Sequence, residues 1–338
     1  MHNDTVRLAH GFGGKLTQDL LDTVIFPALT GESGHAVTLD AAVLKDLIPP
    51  VVVSTDSYTI SPRFFPGGDI GKLAVAGTVN DVAMMGALPA YLALGLIIEE
   101  GLAIDELRKI VESIGTVART AGIRVVTGDT KVVEKGVIDG IFINTTGFGS
   151  QRCRNLGPEY IREGDVIIIS GTVGDHGAAI LNARENLGFS QTLLSDCASL
   201  GAMMARVWDA AGEHLHALRD PTRGGVAATL NEFAVDTGLE LHMYEESLPI
   251  RPEVGSFLEI LGLDVLTLAN EGKAIIFVAP PAVENVLNVL HDDPNGRDAA
   301  VIGYVDRSPK HGRVIMETAI GTRRIIEMPV EEGFPRIC

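Results

Sequence analysis

The chain has 338 residues, 46% apolar and 21% charged, with a formal net charge of -17 at pH 7. That apolar share excludes a wholly disordered chain, and the length allows two domains. The acidic balance argues against general nucleic-acid binding, because it repels phosphate backbones. Nucleotide binding stays open, since it needs only local donors and a metal. The three cysteines, Cys153, Cys197 and Cys338, form no C-x-x-C pair, so neither a zinc knuckle nor a redox dithiol is signalled. So sparse a set suits a reducing compartment. The opening "MHNDTVRLAHGFGGKL" lacks the apolar segment of a signal peptide. The run "ALPAYLALGLII", Ala87 to Ile98, is too short to cross a bilayer. A cytoplasmic protein with no membrane partner is expected.

In chain order, "VVVSTDSYTI" (Val51 to Ile60) is rich in β-branched residues and reads as a strand. "DIGKLAVAGTVNDVAMMGA" has helical spacing and stops at Gly86 and Pro89. "AYLALGLIIE" reads as a buried strand. In "AIDELRKIVESIGTVARTAG" the residues Ile104, Leu107, Ile110, Val111, Ile114, Val117 and Ala118 make one helical face, and Gly122 ends it. "IRVVTGDTKVV" and "VIDGIFINTTGFG" read as two more strands.

A polar break with a Gly-Pro turn follows at "SQRCRNLGPEYIREGD". The second half repeats the order loosely. "GDVIIISGTVGDHG" is a strand entering a Gly-rich turn, and "DPTRGGVAATLNEFAVDTG" is a loop opening a helix. "LELHMYEESLPI" is extended and "PEVGSFLEILG" helical. "DVLTLANEGKAIIFVAP" reads as two strands around a turn at Asn270 to Gly272. "PAVENVLNVLHDD" is a helix and "AAVIGYVDR" a strand. Gly312 to Pro329 reads as a hairpin, and "VEEGFPRIC" beyond it as a mobile tail.

No Walker A loop occurs: in "FPGGDIGKL" Lys72 precedes Leu73 and the first Gly is misplaced. No G-x-G-x-x-G joins a strand to a helix. Instead, carboxylates recur at strand ends and turns among small residues: Asp56 in "STDSY", Asp81 in "TVNDVAMMGA", Asp129 in "TGDTK" and Asp220 in "RDPTRGG". With Asn80 they are hard oxygen ligands of the kind Mg²⁺ prefers when it also holds phosphate. Singly, each Asp is more often a cap or turn residue. "AHGFGGK" and "DPTRGGVA" expose backbone N–H groups suited to phosphate, with Arg223 and Lys15 adding charge. Lys131, Glu271 and Lys273 sit at strand ends or turns as candidate proton-transfer or surface groups. His10, His176 and His291 are not spaced as a metal site, and His176 and His291 read as turn or surface residues.

Taken together, "AHGFGGK", "STDSY", "GTVNDVAMMGA", "GDTKVVEKG", "DPTRGGVA", "NEGK" and the terminal "PRIC" resemble the hydrogenase-maturation carbamoyl dehydratase family. That family lies within the ATP-using aminoimidazole-ribonucleotide-synthetase-like superfamily. The resemblance runs in order from about His10 to Cys338 with no departure at these motifs. The terminal "PRIC" is the discriminating feature.

The resemblance implies an α/β (α+β) two-domain fold with a flexible C-terminal tail. Its parts would be a Gly-rich segment (1–40), an ATP-binding and dimerisation domain (41–150), a C-terminal α/β domain (151–311), and a hairpin and tail (312–338). It implies that a carbamoyltransferase loads the Cys338 thiol. ATP and Mg²⁺ then phosphorylate the thiocarboxamide oxygen, and loss of phosphate and a proton leaves a thiocyanate. The cyanide passes to iron on a scaffold complex for nickel–iron hydrogenase. Cys338, Lys131 and Glu271 are the expected catalytic residues. The nucleotide is expected against His10, Gly11, Gly13, Gly14, Asp56, Asn80, Asp81, Asp129, Thr130, Asp220, Thr222, Arg223, Gly224 and Gly225. Asp56, Asp81, Asp129 and Asp220 are the expected metal ligands. A homodimer is implied too. From Glu331 the tail reaches at most about 28 Å. Two rival readings are a superfamily kinase or synthetase acting on a free small molecule, and a non-catalytic thiol carrier.

Overall fold

The computed structural model describes residues 5–12, 14–30, 41–189, 193–307 and 312–329. Gly13, Cys338 and the rest of the predicted tail lie outside the described residues.

Two short helices, α1 (Lys15–Leu20) and α2 (Phe26–Thr30), are joined by a π-helical turn. Then come β1 (Val51–Tyr58), the two-residue strands β2 (Phe64–Phe65) and β3 (Gly68–Asp69), α3 (Ile70–Met84), β4 (Ala87–Glu99), α4 (Ile104–Thr120), β5 (Arg124–Val133) and β6 (Ile141–Gln151). The second half holds β7 (Val166–Ile169), α5 (Asp175–Glu185), α6 (Gly201–Ala211), β8 (Leu215–Arg219), α7 (Gly225–Thr237), β9 (Glu240–Tyr244) and α8 (Pro252–Leu261). β10 (Ile275–Val278), α9 (Val283–His291), β11 (Ala300–Asp306), β12 (Arg313–Glu317) and β13 (Arg323–Ile326) complete it.

The first sheet runs β1-β6-β4-β5, with β4 and β5 parallel. The second runs β13-β12-β9-β11-β7-β10-β8. The predicted hairpin of β12 and β13 is present, but it is an extension of this sheet, because β12 pairs in parallel with β9.

α4 buries Leu107, Ile110, Val111, Ile114 and Ala118, the stripe its periodicity predicts. α3 behaves differently. Its small and apolar residues are buried on nearly every side, because it lies between the first sheet, α4 and α6. Asp69 caps it by accepting from the Gly71 and Lys72 N–H groups at 2.7 and 3.0 Å. Of its interior residues, only Lys72 and Asp81 keep solvent contact.

Two expectations are corrected. The stretch 264–279 is not a pair of strands. It is a 3₁₀ turn at Val265–Thr267, a loop, and then β10. Backbone groups of that loop bond outside any sheet: Ala269 O accepts from Gly177 N, and Asn270 N donates to Pro221 O. His176 is not at the surface. It is fully buried in α5, with its ring edge-to-face to Phe65 and Nδ1 2.8 Å from Ser195 Oγ. His291 is exposed as expected.

Candidate active site

The site forms where α3, the edge strand β1 and three loops of the second half meet. Asp56 is on β1 and Asp81 on α3, where Ser54 Oγ donates to Asp81 Oδ2 at 2.7 Å. Asp220 follows β8 directly and begins the loop to α7. Asn270 ties that segment to the neighbouring loop, donating to Pro221 O from its backbone N at 3.0 Å and from Nδ2 at 3.1 Å. Glu271 follows directly and is buried.

The charges of these groups act on one another. Burial raises the Asp81 pKa, and Asp56 adds to the rise against the Ser54 hydrogen bond, Arg219 and Arg223. Burial, then repulsion from Asp81, pushes Asp220 up to about 7. Asp220 keeps a little accessible surface, yet protein atoms crowd its carboxyl. Burial, then Asp220, Asp196, Asp56 and Asp81, holds Glu271 well above the usual carboxylate range. Glu271 Oε1 is buried with no hydrogen-bond partner among the described residues.

A glycine turn that opens a helix follows Asp220 in the chain. Thr222, Arg223, Gly224 and Gly225 open α7, whose N-cap Gly224 has φ +73. Gly225 has φ +61, and a Cβ there would lie 2.5 Å from the carbonyl oxygens of Leu266 and Leu268. No other residue fits both the backbone and the space. The Gly225 N–H donates to Thr222 O at 2.9 Å, and the turn sets the Gly224 N–H at the positive end of the helix.

Asn80, expected beside the metal, is otherwise engaged. Its Nδ2 donates to Ala198 O at 3.0 Å and Glu271 O at 3.4 Å, and its Oδ1 accepts from Leu200 N at 2.7 Å. It clasps the two halves together.

Asp129, Thr130 and Lys131 do not join the cluster within one chain. They lie on β5, three strands from β1, or about 14 Å at ordinary strand spacing. The register runs Asp129–Gly95–Asn144–Ser57, the outer face, whereas Asp56 pairs with Thr145 on the helix face. Lys131 Nζ is 3.2 Å from Asp129 Oδ2, and both are exposed. The amino-terminal motif packs on the same strand but on its helix face, where Gly11 lies against Val132. His10 is buried, and its Nδ1 accepts from the Arg7 N–H at 2.9 Å. Burial lowers its pKa, so it is a neutral imidazole rather than a cationic phosphate ligand. Gly14 caps α1 and is open to solvent.

A single chain thus divides the expected residues. Asp56, Asp81, Asp220, Thr222, Arg223, Gly224, Gly225 and Glu271 form one group. His10, Gly11, Gly14, Asp129, Thr130 and Lys131 form another. Among the described residues, no three His, Cys, Asp or Glu side chains are arranged to hold a metal ion.

Sequence reasoning missed Asp196, Asp175 and the role of Lys273. Asp196 Oδ1 accepts from the Glu271 N–H at 3.0 Å, and its Oδ2 pairs with Lys273 Nζ at 3.2 Å. Asp175, at the start of α5, accepts from Thr172 Oγ1 and lies 3.5 Å from Arg251 Nε. They lie in "SDCAS" and "GDHG", an Asp among small residues, the same signal that marked the other aspartates.

The chain is similar to known proteins over nearly its whole length. The AIR synthase related protein families, N-terminal and C-terminal domain, match residues 39–151 and 162–315. The carbamoyl dehydratase HypE of Escherichia coli (strain K12) is 45% identical over 340 residues, covering 99% of this chain and 100% of that protein. A crystal structure of the hydrogenase maturation protein HypE in complex with ATP matches with a TM-score of 0.94 at 45% identity, over 99% of this chain and 100% of that one. A chain of a HypE–HypF complex matches with a TM-score of 0.80 at 42% identity, over 94% and 100%.

Proposed function

The chain belongs to the carbamoyl dehydratase family of hydrogenase maturation, and we propose that it dehydrates an S-carbamoyl group on Cys338 to a thiocyanate with ATP. The product supplies the cyanide ligand of nickel–iron hydrogenase. One observation carries the assignment to this site. The described chain ends at Pro329, whose Cγ lies 4.0 Å from where a Gly224 Cβ would stand. Asn231 of α7 fixes the approach by donating to Ile326 O at 3.1 Å. Pro329 thus stands beside the Gly224 turn, nine residues before Cys338, and nine extended residues reach about 30 Å.

The chemistry balances in two steps. The thiocarboxamide oxygen attacks the γ-phosphorus of ATP as the nitrogen loses one proton, giving ADP and an S-linked imidate phosphate. The C–O bond then breaks, inorganic phosphate leaves, and the nitrogen gives up its second proton to form C≡N. The backbone N–H of Gly224, with Thr222 and Arg223, holds phosphate oxygens, while the Gly225 N–H, expected there too, donates to Thr222 O at 2.9 Å and closes the turn. Glu271 takes a nitrogen proton; its raised pKa makes it the stronger base once ionised.

The carboxylates fit Mg²⁺. Asp56, Asp81 and Asp220 are hard donors that repel one another and do not close a shell of their own. That suits an ion that takes its remaining ligands from phosphate and water. When bound, it would neutralise charge on the transferring phosphoryl group.

A homodimer would unite the two groups of residues. The outer face of the first sheet leaves Val51, Val53 and Ile97 exposed, an apolar surface for a second copy. Sheets stacked there would carry Asp129 and Lys131 of one copy towards the cluster of the other, whereas Thr130 between them pairs with buried Leu96 and faces the helices. A carbamoyltransferase that loads Cys338 and an iron-scaffold complex that accepts cyanide are the further partners. No helix among the described residues is long and apolar enough to cross a membrane; a cytoplasmic location and no nucleic-acid partner complete the proposal.

Intact mass tests the reading. After incubation with the carbamoyltransferase and a carbamoyl donor, wild type gains one carbamoyl group and then loses one water when ATP and Mg²⁺ are added. Cys338→Ala does neither. Carbamoylation without water loss would favour a thiol carrier. ATP consumption with no mass change would favour a kinase of a free substrate.

A further inference from the structure

Glu271 is held by its main chain rather than by its side chain. Its N–H donates to Asp196 Oδ1 at 3.0 Å, and its carbonyl accepts from Asn80 Nδ2 and Ala198 N, each at 3.4 Å. The same Asp196 carboxylate reaches two residues further on and pairs with Lys273 Nζ at 3.2 Å. Both side chains are almost wholly buried, 1% and 7% exposed. Oδ2 makes an ion pair there without a well-aligned hydrogen bond. Between the two anchors, Gly272 crosses so close to Asp196 that a Cβ would lie 1.9 Å from the Asp196 carbonyl oxygen. One carboxylate thus grips positions 271 and 273 of a three-residue turn, while Glu271 Oε1 is left without a protein partner. A buried, unpartnered carboxyl oxygen costs stability. Holding it there makes sense when a substrate group completes it.

We propose that Asp196, with Lys273 as its counter-charge, is a positioning residue that aims Glu271 at the thiocarboxamide nitrogen. The inference rests on the reading of Glu271 as the proton acceptor. Lys273 has a second consequence: removing Asp196 alone strands a buried cation. A neutral pair of variants is therefore needed beside the simple one.

The test is single-turnover water loss from carbamoylated full-length protein, followed by intact mass at saturating and limiting ATP–Mg²⁺. Asp196→Ala is expected to slow the step about 30–100-fold, with the ATP concentration at half-maximal rate changed less than about threefold. Asp196→Asn keeps an acceptor for the Glu271 N–H and is expected to recover at least tenfold of that loss. In the background of Lys273→Met, where no charge is stranded, Asp196→Asn is expected to be at least about tenfold faster than Asp196→Leu. Equal rates for those two double variants overturn the proposal even if Asp196→Ala fails to fold. A loss that appears mainly as weaker ATP binding also overturns it. Glu271→Gln runs in parallel. If it turns over like wild type, the reading of Glu271 fails. If it is inactive while Asp196→Ala is fast, only the role of Asp196 fails.

Discussion

Asp56 and Asp129 lie on opposite edges and opposite faces of one four-stranded sheet. The sheet between them prevents one chain from closing a single site around both. A site shared between two copies predicts complementation. Lys131→Ala and Glu271→Gln proteins, each inactive, are expected to recover about a quarter of wild-type water loss once unfolded together and refolded as mixed dimers. Half the dimers are then mixed, and one of their two sites is intact. A mixture that stays inactive would place Lys131 and Glu271 in the same chain's site.

Asp220 predicts a pH-dependent stability. Its carboxyl titrates at about 7 in the fold, against an ordinary aspartate value of 3.8. The folded state keeps a proton that the unfolded chain releases between about pH 4 and 7, so this group lowers stability as pH rises through that window. In protein stripped of Mg²⁺ and nucleotide, Asp220→Asn should raise Tm at pH 8 by ~1–3 °C, or about 1–2 kcal/mol. The gain should fade towards pH 4. The same gain at both pH values would contradict the assignment.

Asn80 predicts a mechanical effect. Its amide makes three hydrogen bonds to backbone of the second half. Asn80→Ala leaves buried donors and an acceptor unpaired and should cost about 2–4 kcal/mol, read by calorimetry as a Tm lower by ~3–6 °C. An unchanged transition would mean that the clasp contributes nothing.

Gly225 predicts a loss with a steric cause. At φ +61, with carbonyl oxygens 2.5 Å from where a Cβ would stand, Gly225→Ala must displace the Leu266–Leu268 turn. The expected cost is about 2–4 kcal/mol, together with weakened ATP binding measured by calorimetric titration. Wild-type nucleotide affinity in a folded Gly225→Ala protein would remove this turn from the phosphate site.

Much of the fold is legible in the sequence because its signals are local. The α4 stripe, the β-branched run of β1 and the Gly122 stop depend on neighbours a few residues away. α6 and β8 are not read from the sequence, although Gly212 caps α6 at φ +55 and Asp220-Pro221 follows β8. The first half of the stretch 264–279 misleads because Val265, Leu266 and Leu268 pack on α7 and α5 instead of pairing with a strand. His176 misleads because a turn motif says nothing of what covers it.

By itself the sequence determined the residue types of the site. Hard carboxylates among small residues, glycines that permit a positive φ before α7, and a cysteine at position 338 are chemical facts of composition and order. Only the tertiary structure decided which of them meet. It gathered Asp56, Asp81, Asp220 and Glu271, turned Asn80 into a clasp, added Asp196 and Lys273, and set Asp129 and Lys131 on the far face. The reason is pairing across distance. Strand alternation assigns each residue to one of two faces, but sheet order and the loops that cross it determine which faces confront one another. Those contacts join residues as far apart as 80 and 271, beyond the reach of any local pattern.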